Sequence, residues 1–170
     1  MPTTLSGLLV LTVFPILCVA AGIGDFLTMR IPNWLNGALI VAFVVMVFVA
    51  GMPFDVLKWH LAAGGLLLVA GITLFFAIQF GGGDAKMLAA CSLWIGWSAL
   101  VPFLIYTALA GGALALIAIF WRRIGHEHDM RGGVWLRGLF NKEVKIPYGV
   151  AIAIGGILAF SETWWIQSMI

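Results

Sequence analysis

The chain has 170 residues, of which 63% are hydrophobic and only 9% are charged, with a net charge of +2. Soluble domains carry about a quarter charged residues, so this composition indicates a membrane protein and leaves no room for a large soluble domain besides. Cys18 and Cys91 both lie in apolar runs and form no C-x-x-C pair, so neither a disulfide framework nor a zinc site is predicted.

Apolar segments predict an all-α, polytopic membrane protein with six transmembrane helices in one domain, residues 1–170. Their approximate bounds are 5–24, 34–50, 56–80, 84–97, 102–121 and 147–165. The fourth segment gives only about 20 Å of helix against a hydrocarbon layer of about 30 Å. It therefore either begins below the membrane surface or continues to Leu100. The first segment lacks a basic n-region, so we expect a retained span instead of a cleaved signal peptide.

The distribution of Lys and Arg predicts the orientation of these spans. The loops after spans one, three and five share one side of the membrane and hold eight of the nine basic residues, leaving Lys58 opposite. The positive-inside rule places those loops in the cytoplasm and both termini outside. Asp25 and Asp84 then lie on the cytoplasmic side, whereas Asp55 lies opposite and is predicted to be a solvated loop residue.

The stretch Gly81-Gly82-Gly83-Asp84 separates spans three and four. Three consecutive glycines break a helix and can adopt φ > 0, and Asp84 then starts the next helix, near its free N–H groups. A carboxylate at membrane depth costs free energy and is therefore a candidate functional group. The alternative, a simple helix cap, does not require three glycines.

The segment after the first span carries further polar candidates. Asp25 is followed by residues 26–33, predicted to be a loop or helix end because Pro32 disfavours helical conformations in the residue before it. Arg30 either tunes the pKa of a carboxylate or serves topology by snorkelling. Asn33 either contacts a substrate or is a turn residue after the proline.

Lys86 follows Asp84 by two positions. The same two interpretations apply to it as to Arg30, tuning of a carboxylate pKa or snorkelling to the membrane surface.

Two aspartates a few ångströms apart share a proton and titrate in two separated steps. The ionised member can take a proton from water while the protonated member polarises a carbonyl, which is the arrangement of aspartic proteases. This chemistry needs no metal and no other cofactor. The backbone of residues 81–83 could hold an extended substrate through strand-like hydrogen bonds. A small proton or ion transporter that uses Asp25 and Asp84 as a relay is the main rival, and a structural subunit of a secretion complex is another.

The loop at 122–145 is predicted to be basic and to face anionic lipid. Its cluster His126-Glu127-His128-Asp129 is interpreted as hydrated, so no metal site is expected. We expect membrane lipid as a partner and no nucleic acid, since a soluble basic domain is missing. The oligomeric state is not indicated.

Three segments carry a resemblance to a known family. G-G-G-D-A-K resembles the G-x-G-D motif of intramembrane aspartic proteases, and D-F-L-T-M-R-I-P-N resembles the first-aspartate region of bacterial type IV prepilin peptidases. K-I-P-Y-G resembles a further segment of that family. The resemblance covers nearly the whole chain in order. It implies that Asp25 and Asp84 are the catalytic pair, and that Gly81 and Gly83 are the motif glycines.

This resemblance implies a multi-pass protein of the bacterial inner membrane that cleaves the basic leader of prepilins and pseudopilins at the cytoplasmic face. Longer members carry two C-x-x-C pairs in the first cytoplasmic loop and also methylate the new N-terminus. Here that loop is short and has no cysteine, so the chain resembles small, peptidase-only members that serve tight-adherence (Flp-type) pili. Archaeal preflagellin peptidases share the motif and remain an alternative. The residues expected to bind substrate are Gly81, Gly82, Gly83, Lys86, Arg30 and Asn33.

Overall fold

The computed structural model describes residues 4–78, 80–124 and 146–169, with side chains over residues 7–78, 80–120 and 146–169. Over these residues the chain forms helices and no strand, as predicted. The helices are α1 (Thr4–Thr28), α2 (Asn33–Ala50), α3 (Phe54–Ile78), α4 (Gly82–Ile95), α5 (Leu100–Ile124), α6 (Tyr148–Phe160) and α7 (Trp164–Gln167).

Five of the six predicted spans are helical segments long and apolar enough to cross a membrane: Gly7–Thr28, Asn33–Ala50, Phe54–Ile78, Leu100–Phe120 and Tyr148–Gln167. The chain is therefore a polytopic membrane protein. The exception is α4, whose 14 residues give about 21 Å of helix. The prediction that it could continue to Leu100 is wrong, because it ends at Ile95 and Gly96 turns the chain with φ 72°.

The end of α1 differs from the prediction. The helix passes through Asp25 and ends at Thr28, so this aspartate lies within a helix and not after one. The hydroxyl of Thr28 donates to Gly24 O at 2.7 Å, and Met29 N donates to Asp25 O at 2.8 Å. Met29 then leaves the helix with φ 54°, a left-handed conformation that costs free energy for a residue with a side chain.

Two further boundaries are corrected. The last predicted span is not one helix, because the chain extends at Thr163 (φ −84°, ψ 160°) between α6 and α7. The predicted loop at 122–145 begins later, since α5 continues to Ile124. The rest of that loop, with His126-Glu127-His128-Asp129, lies outside the described residues.

Helix α4 is the centre of the bundle. It packs against α2, α3 and α6, and most of its 14 residues are buried. The outer helices instead expose large apolar side chains such as Phe48 and Phe76, which are 80% and 79% exposed. This pattern is that of a membrane protein whose outer surface contacts lipid, since such apolar area would be unfavourable in water.

Tryptophan and histidine side chains fix the C-terminal end of α4. Trp94 Nε1 donates to Leu39 O of α2 at 2.9 Å, and Trp165 Nε1 of α7 donates to Trp94 O at 2.7 Å. His60 Nδ1 of α3 donates to Leu93 O at 2.7 Å. Because three helices hold this end, the N-terminal end of α4, which carries Asp84, is set in a defined place.

Candidate active site

The two aspartates line one cavity. Asp25, in the last turn of α1, and Asp84, in the first turn of α4, both face a cavity of about 690 Å³. The remaining lining residues come from α3, α4, α6 and the connections between helices: Met29, Arg30, Ile31, Leu74, Ile78, Phe80, Gly81, Gly82, Gly83, Ile146 and Tyr148. Two carboxyl groups from separate helices therefore line the same cavity, which agrees with the prediction from the charge pattern that they lie at one level.

Asp25 is held by the start of α6. Its side chain is only 4% exposed, and Oδ2 accepts a hydrogen bond from Gly149 N at 2.7 Å. Gly149 is the second residue of α6, after the N-cap Pro147. The first N–H groups of a helix have no partner inside the helix and carry partial positive charge, so this contact satisfies a buried carboxylate without a basic side chain.

A side chain at position 149 would displace the side chains that surround it. A Cβ there would lie 2.8 Å from Asp25 Oδ2 and 2.8 Å from Ile31 Cδ1. Sequence reasoning noticed the K-I-P-Y-G segment but gave this glycine no role. The pattern that could have indicated such a role is a glycine two positions after Pro147, in the first turn of a helix. Its partner, 124 positions away, could not be found from that local pattern.

Asp84 is the third residue of α4, because the helix begins at Gly82 and not at the aspartate as predicted. Gly81 is the N-cap, with φ −58°, and its carbonyl accepts a hydrogen bond from Ala85 N at 2.9 Å. Gly82 and Gly83 thus belong to the first helical turn, and only Gly81 of the three lies before it.

Limited space, and not an unusual dihedral angle, explains the glycines at positions 81 and 83. The expectation of φ > 0 is wrong here, because among the described glycines only Gly51 and Gly96 have it. A Cβ on Gly81 would overlap Asp84 Oδ2, and one on Gly83 would lie 3.3 Å from Ile31 Cβ. At Gly82 the nearest atom would be Phe75 Cε2 at 3.4 Å, which is ordinary contact.

The other predicted substrate residues divide into two groups. Arg30 lines the aspartate cavity. Asn33 and Lys86 do not line it, and Lys86 Nζ instead donates to Asn33 Oδ1 at 2.9 Å. Asp55 lies in the first turn of α3, where Lys58 pairs with it at 2.8 Å on an exposed surface.

The cavity has the elements that peptide hydrolysis by carboxyl groups requires. It combines two acids, polar backbone around Gly81, and an apolar wall in which the rings of Phe80 and Tyr148 lie 5.8 Å apart. Its volume admits water together with part of a peptide. Over the described residues, no group of three or more His, Cys, Asp or Glu side chains could hold a metal ion.

Comparison with known proteins points in the same direction. The profile of the Type IV leader peptidase family matches residues 12–116, which is more than half of the chain and includes both aspartates. Two curated proteins named "Prepilin leader peptidase/N-methyltransferase", from Burkholderia pseudomallei strains 1026b and K96243, are each 34% identical over 98 residues. The match spans 55% of this chain and 26% of each relative. No solved structure matches at a significant level.

Proposed function

The protein belongs to the type IV leader peptidase family, and we propose that it is an aspartic endopeptidase that removes the basic leader from prepilin-like proteins. The observation that carries this proposal is the shared cavity of Asp25 and Asp84. The names of the relatives support the class of substrate.

In this mechanism the two carboxyl groups act as a pair that holds one proton. The ionised carboxylate takes a proton from a water molecule, which attacks the scissile carbonyl, while the protonated carboxyl donates a hydrogen bond to the carbonyl oxygen. The proton then passes to the leaving amine. Gly149 N holds Asp25 Oδ2 at 2.7 Å, which leaves Oδ1 of the same carboxyl for the chemistry.

The start of α4 is proposed to position the substrate. A peptide bond must be in an extended segment to be attacked, so the substrate needs main-chain partners. The N–H groups in the first turn of α4, which includes Gly82 and Gly83, have no acceptor within the helix. Gly81, before the helix, adds backbone without a side chain next to Asp84. The role of these glycines in binding remains a prediction, as does that of Arg30 at the cavity wall.

The proposed location is the cytoplasmic face of the bacterial inner membrane. Eight of the nine basic residues lie in segments that the order of spans assigns to one side, the side of Asp25 and Asp84. The leader of the substrate is basic, and a cut at this level would separate it from the apolar segment that stays in the bilayer. Both termini of the spans described would then face the opposite compartment.

We further propose that the chain cleaves without methylating. Only residues 29–32 connect α1 to α2, so the cysteine-bearing insert of longer family members has no place there. Both cysteines are instead buried in helices α1 and α4. The relatives whose names include an N-methyltransferase are matched over about a quarter of their length.

The decisive experiment is co-expression with candidate prepilins, scored by the mobility of the substrate. We expect wild type to cleave, and Asp25→Asn and Asp84→Asn each to leave the precursor uncut while still accumulating in the membrane. Asp55→Asn is the matched control, because this carboxylate is exposed and paired with Lys58 at the beginning of α3. Cleavage by both active-site variants, with loss of ion flux instead, would favour the relay mechanism.

A separate assay tests the absence of methylation. The purified protein is incubated with prepilin and S-adenosylmethionine, and the mature N-terminus is analysed by mass spectrometry. We expect a cleaved, unmethylated product. A methylated product formed by this chain alone would contradict the peptidase-only assignment without affecting the assignment of the aspartates.

A further inference from the structure

A second cavity lies along α4, toward α2 and α3. This groove, of about 390 Å³, is formed by α2, α3 and α4 and shares no lining residue with the aspartate cavity. Its lining residues are Asn33, Asn36, Gly37, Ile40, Gly64, Gly65, Leu68, Lys86, Ala89, Ala90 and Leu93. The α4 members recur at spacings of three and four, so they occupy one face of that helix. The groove is polar at the end near Lys86 and apolar along the rest.

The polar end carries a positive charge that no described carboxylate balances. Lys86 Nζ donates to the neutral amide oxygen of Asn33 at 2.9 Å, and the ion pair found among the described residues joins Lys58 to Asp55 instead. An ammonium group has three donors, so Lys86 can take a further acceptor. An anion at this end of the groove would compensate the charge.

A buried amide marks the same end. Asn36 is 4% exposed and lines the groove. Its Nδ2 donates to Gly83 O at 3.4 Å, whereas no described group donates to its Oδ1. A buried acceptor without a donor is unfavourable. A hydroxyl group, or a water molecule carried with it, would satisfy this oxygen.

The apolar part of the groove is open along α4. A Cβ on Gly37 or Gly65 would meet no atom within 4 Å, so the groove stays open between α2 and α3. From Lys86 to Leu93 it extends about 10 Å along α4, at 1.5 Å per residue. The rest of the lining is apolar, so an acyl chain in the groove would leave no polar group without a partner.

We propose that this groove binds one anionic phospholipid with a hydroxyl-bearing headgroup. The phosphate contacts Lys86, and the headgroup hydroxyl donates a hydrogen bond to Asn36 Oδ1. One acyl chain lies between Gly37 and Gly65. A lysine at the membrane surface is favourably placed for anionic lipid, and each such contact contributes about fivefold in affinity. This assignment gives Lys86 and Asn33 a partner other than the peptide substrate.

The test uses native mass spectrometry of the purified full chain in detergent, with phosphatidylglycerol or phosphatidylcholine of identical acyl chains as the probes. We expect wild type to retain one phosphatidylglycerol about fivefold better than phosphatidylcholine. Lys86→Gln should remove that preference. Gly65→Leu should reduce retention of both lipids, because its side chain fills the groove. The matched control is Gly112→Leu, at an α5 glycine where a Cβ also meets no atom within 4 Å.

Several results would overturn the proposal. One is equal retention of the two lipids by wild type, and another is retention by Gly65→Leu at the wild-type level. If Gly65→Leu removes a dimer and not a lipid, the groove belongs to a second copy of the chain. If prepilin displaces the lipid from wild type, the groove belongs to substrate. If Gly65→Leu does not fold, Gly37→Leu replaces it in the test, because its side chain fills the groove from the α2 side. None of these lipid measurements depends on cleavage, so their failure is distinct from failure of the proposed function.

Discussion

Cys18 Sγ of α1 and Cys91 Sγ of α4 lie 3.9 Å apart in the buried core. Asp25 follows Cys18 by seven positions, and Asp84 precedes Cys91 by seven. Seven residues make two helical turns, or about 10 Å, and return nearly to the same helix face. The cysteine contact therefore aligns two antiparallel helices so that their aspartates reach the same level on facing sides.

Separating the helices at the cysteines should reduce cleavage without any change in the carboxyl groups. Cys18→Phe overfills a site that is fully buried, at a cost of about 1–3 kcal/mol, and displaces α1 from α4. We expect at least a tenfold loss of kcat/KM, measured with a purified prepilin. Cys18→Ala, which leaves the helices free to stay in place, should keep most of the activity.

The control for Cys18→Phe is Ile16→Phe, on the same helix at a residue that is 63% exposed. It adds a similar ring toward the surrounding lipid and should cleave at the wild-type rate. Equal activity of Cys18→Phe and Ile16→Phe would show that the cysteine contact does not set the height of the aspartates.

Gly149 should behave as a positioning residue for Asp25. Gly149→Ala places a methyl 2.8 Å from Asp25 Oδ2, so the carboxyl must move and its 2.7 Å hydrogen bond is lost. Since a displacement of about 1 Å at a reacting group can cost about a hundredfold in rate, we expect kcat to fall 10- to 100-fold. KM should change little, because the substrate contacts proposed at Gly81 are untouched.

Gly112→Ala provides the comparison, since it adds the same methyl to a helix in open space. A merely structural defect at Gly149 would lower the amount of folded protein and leave kcat per folded molecule unchanged. That result, established by titrating the folded fraction before the kinetic assay, would argue against a positioning role.

The three consecutive glycines should differ in their tolerance of alanine. Gly81→Ala should be the most damaging, because its methyl would overlap Asp84 Oδ2, and Gly83→Ala should be intermediate, with Ile31 Cβ at 3.3 Å. Gly82→Ala should be nearly neutral, because its closest contact is an ordinary 3.4 Å to Phe75. Cleavage assays on the three variants check this order, and equal loss in all three would contradict the steric explanation.

The sequence predicted the helical class and five of the six spans, because a run of about 20 apolar residues has few other solutions in a bilayer. It also predicted that Asp25 and Asp84 share a compartment, since Lys and Arg counts follow topology. That the two side chains line one cavity could not be predicted from topology alone. It depends on the height of α1 against α4, which the Cys18–Cys91 contact records and no linear pattern shows.

Other features could not be found from the sequence because they are properties of contact. The role of Gly149 depends on a carboxylate 124 positions away, and the purpose of Gly81 is space for Asp84 and not a positive φ. The position of Lys86 in the chain, two residues after Asp84, suggested that its side chain lies beside that carboxylate. A helical step of 100° per residue instead turns it toward the groove of α2 and α3.

Gly96→Ala should reduce the stability of the protein, although this glycine lies at the opposite end of α4 from Asp84. It has φ 72° at the end of α4, and a Cβ there would lie 2.8 Å from Cε1 and Nε2 of the His60 ring. Gly51 also has a positive φ, 64°, but a Cβ there would meet no atom within 4 Å. Gly51→Ala therefore carries only the backbone cost, about 1–2 kcal/mol. Gly96→Ala adds displacement of His60, whose Nδ1 bond to Leu93 O holds α3 to α4.

Thermal unfolding in detergent should show a larger loss of stability for Gly96→Ala than for Gly51→Ala. Equal losses would mean that His60 moves without a cost in free energy. Its hydrogen bond to Leu93 O would then not stabilise the C-terminal end of α4.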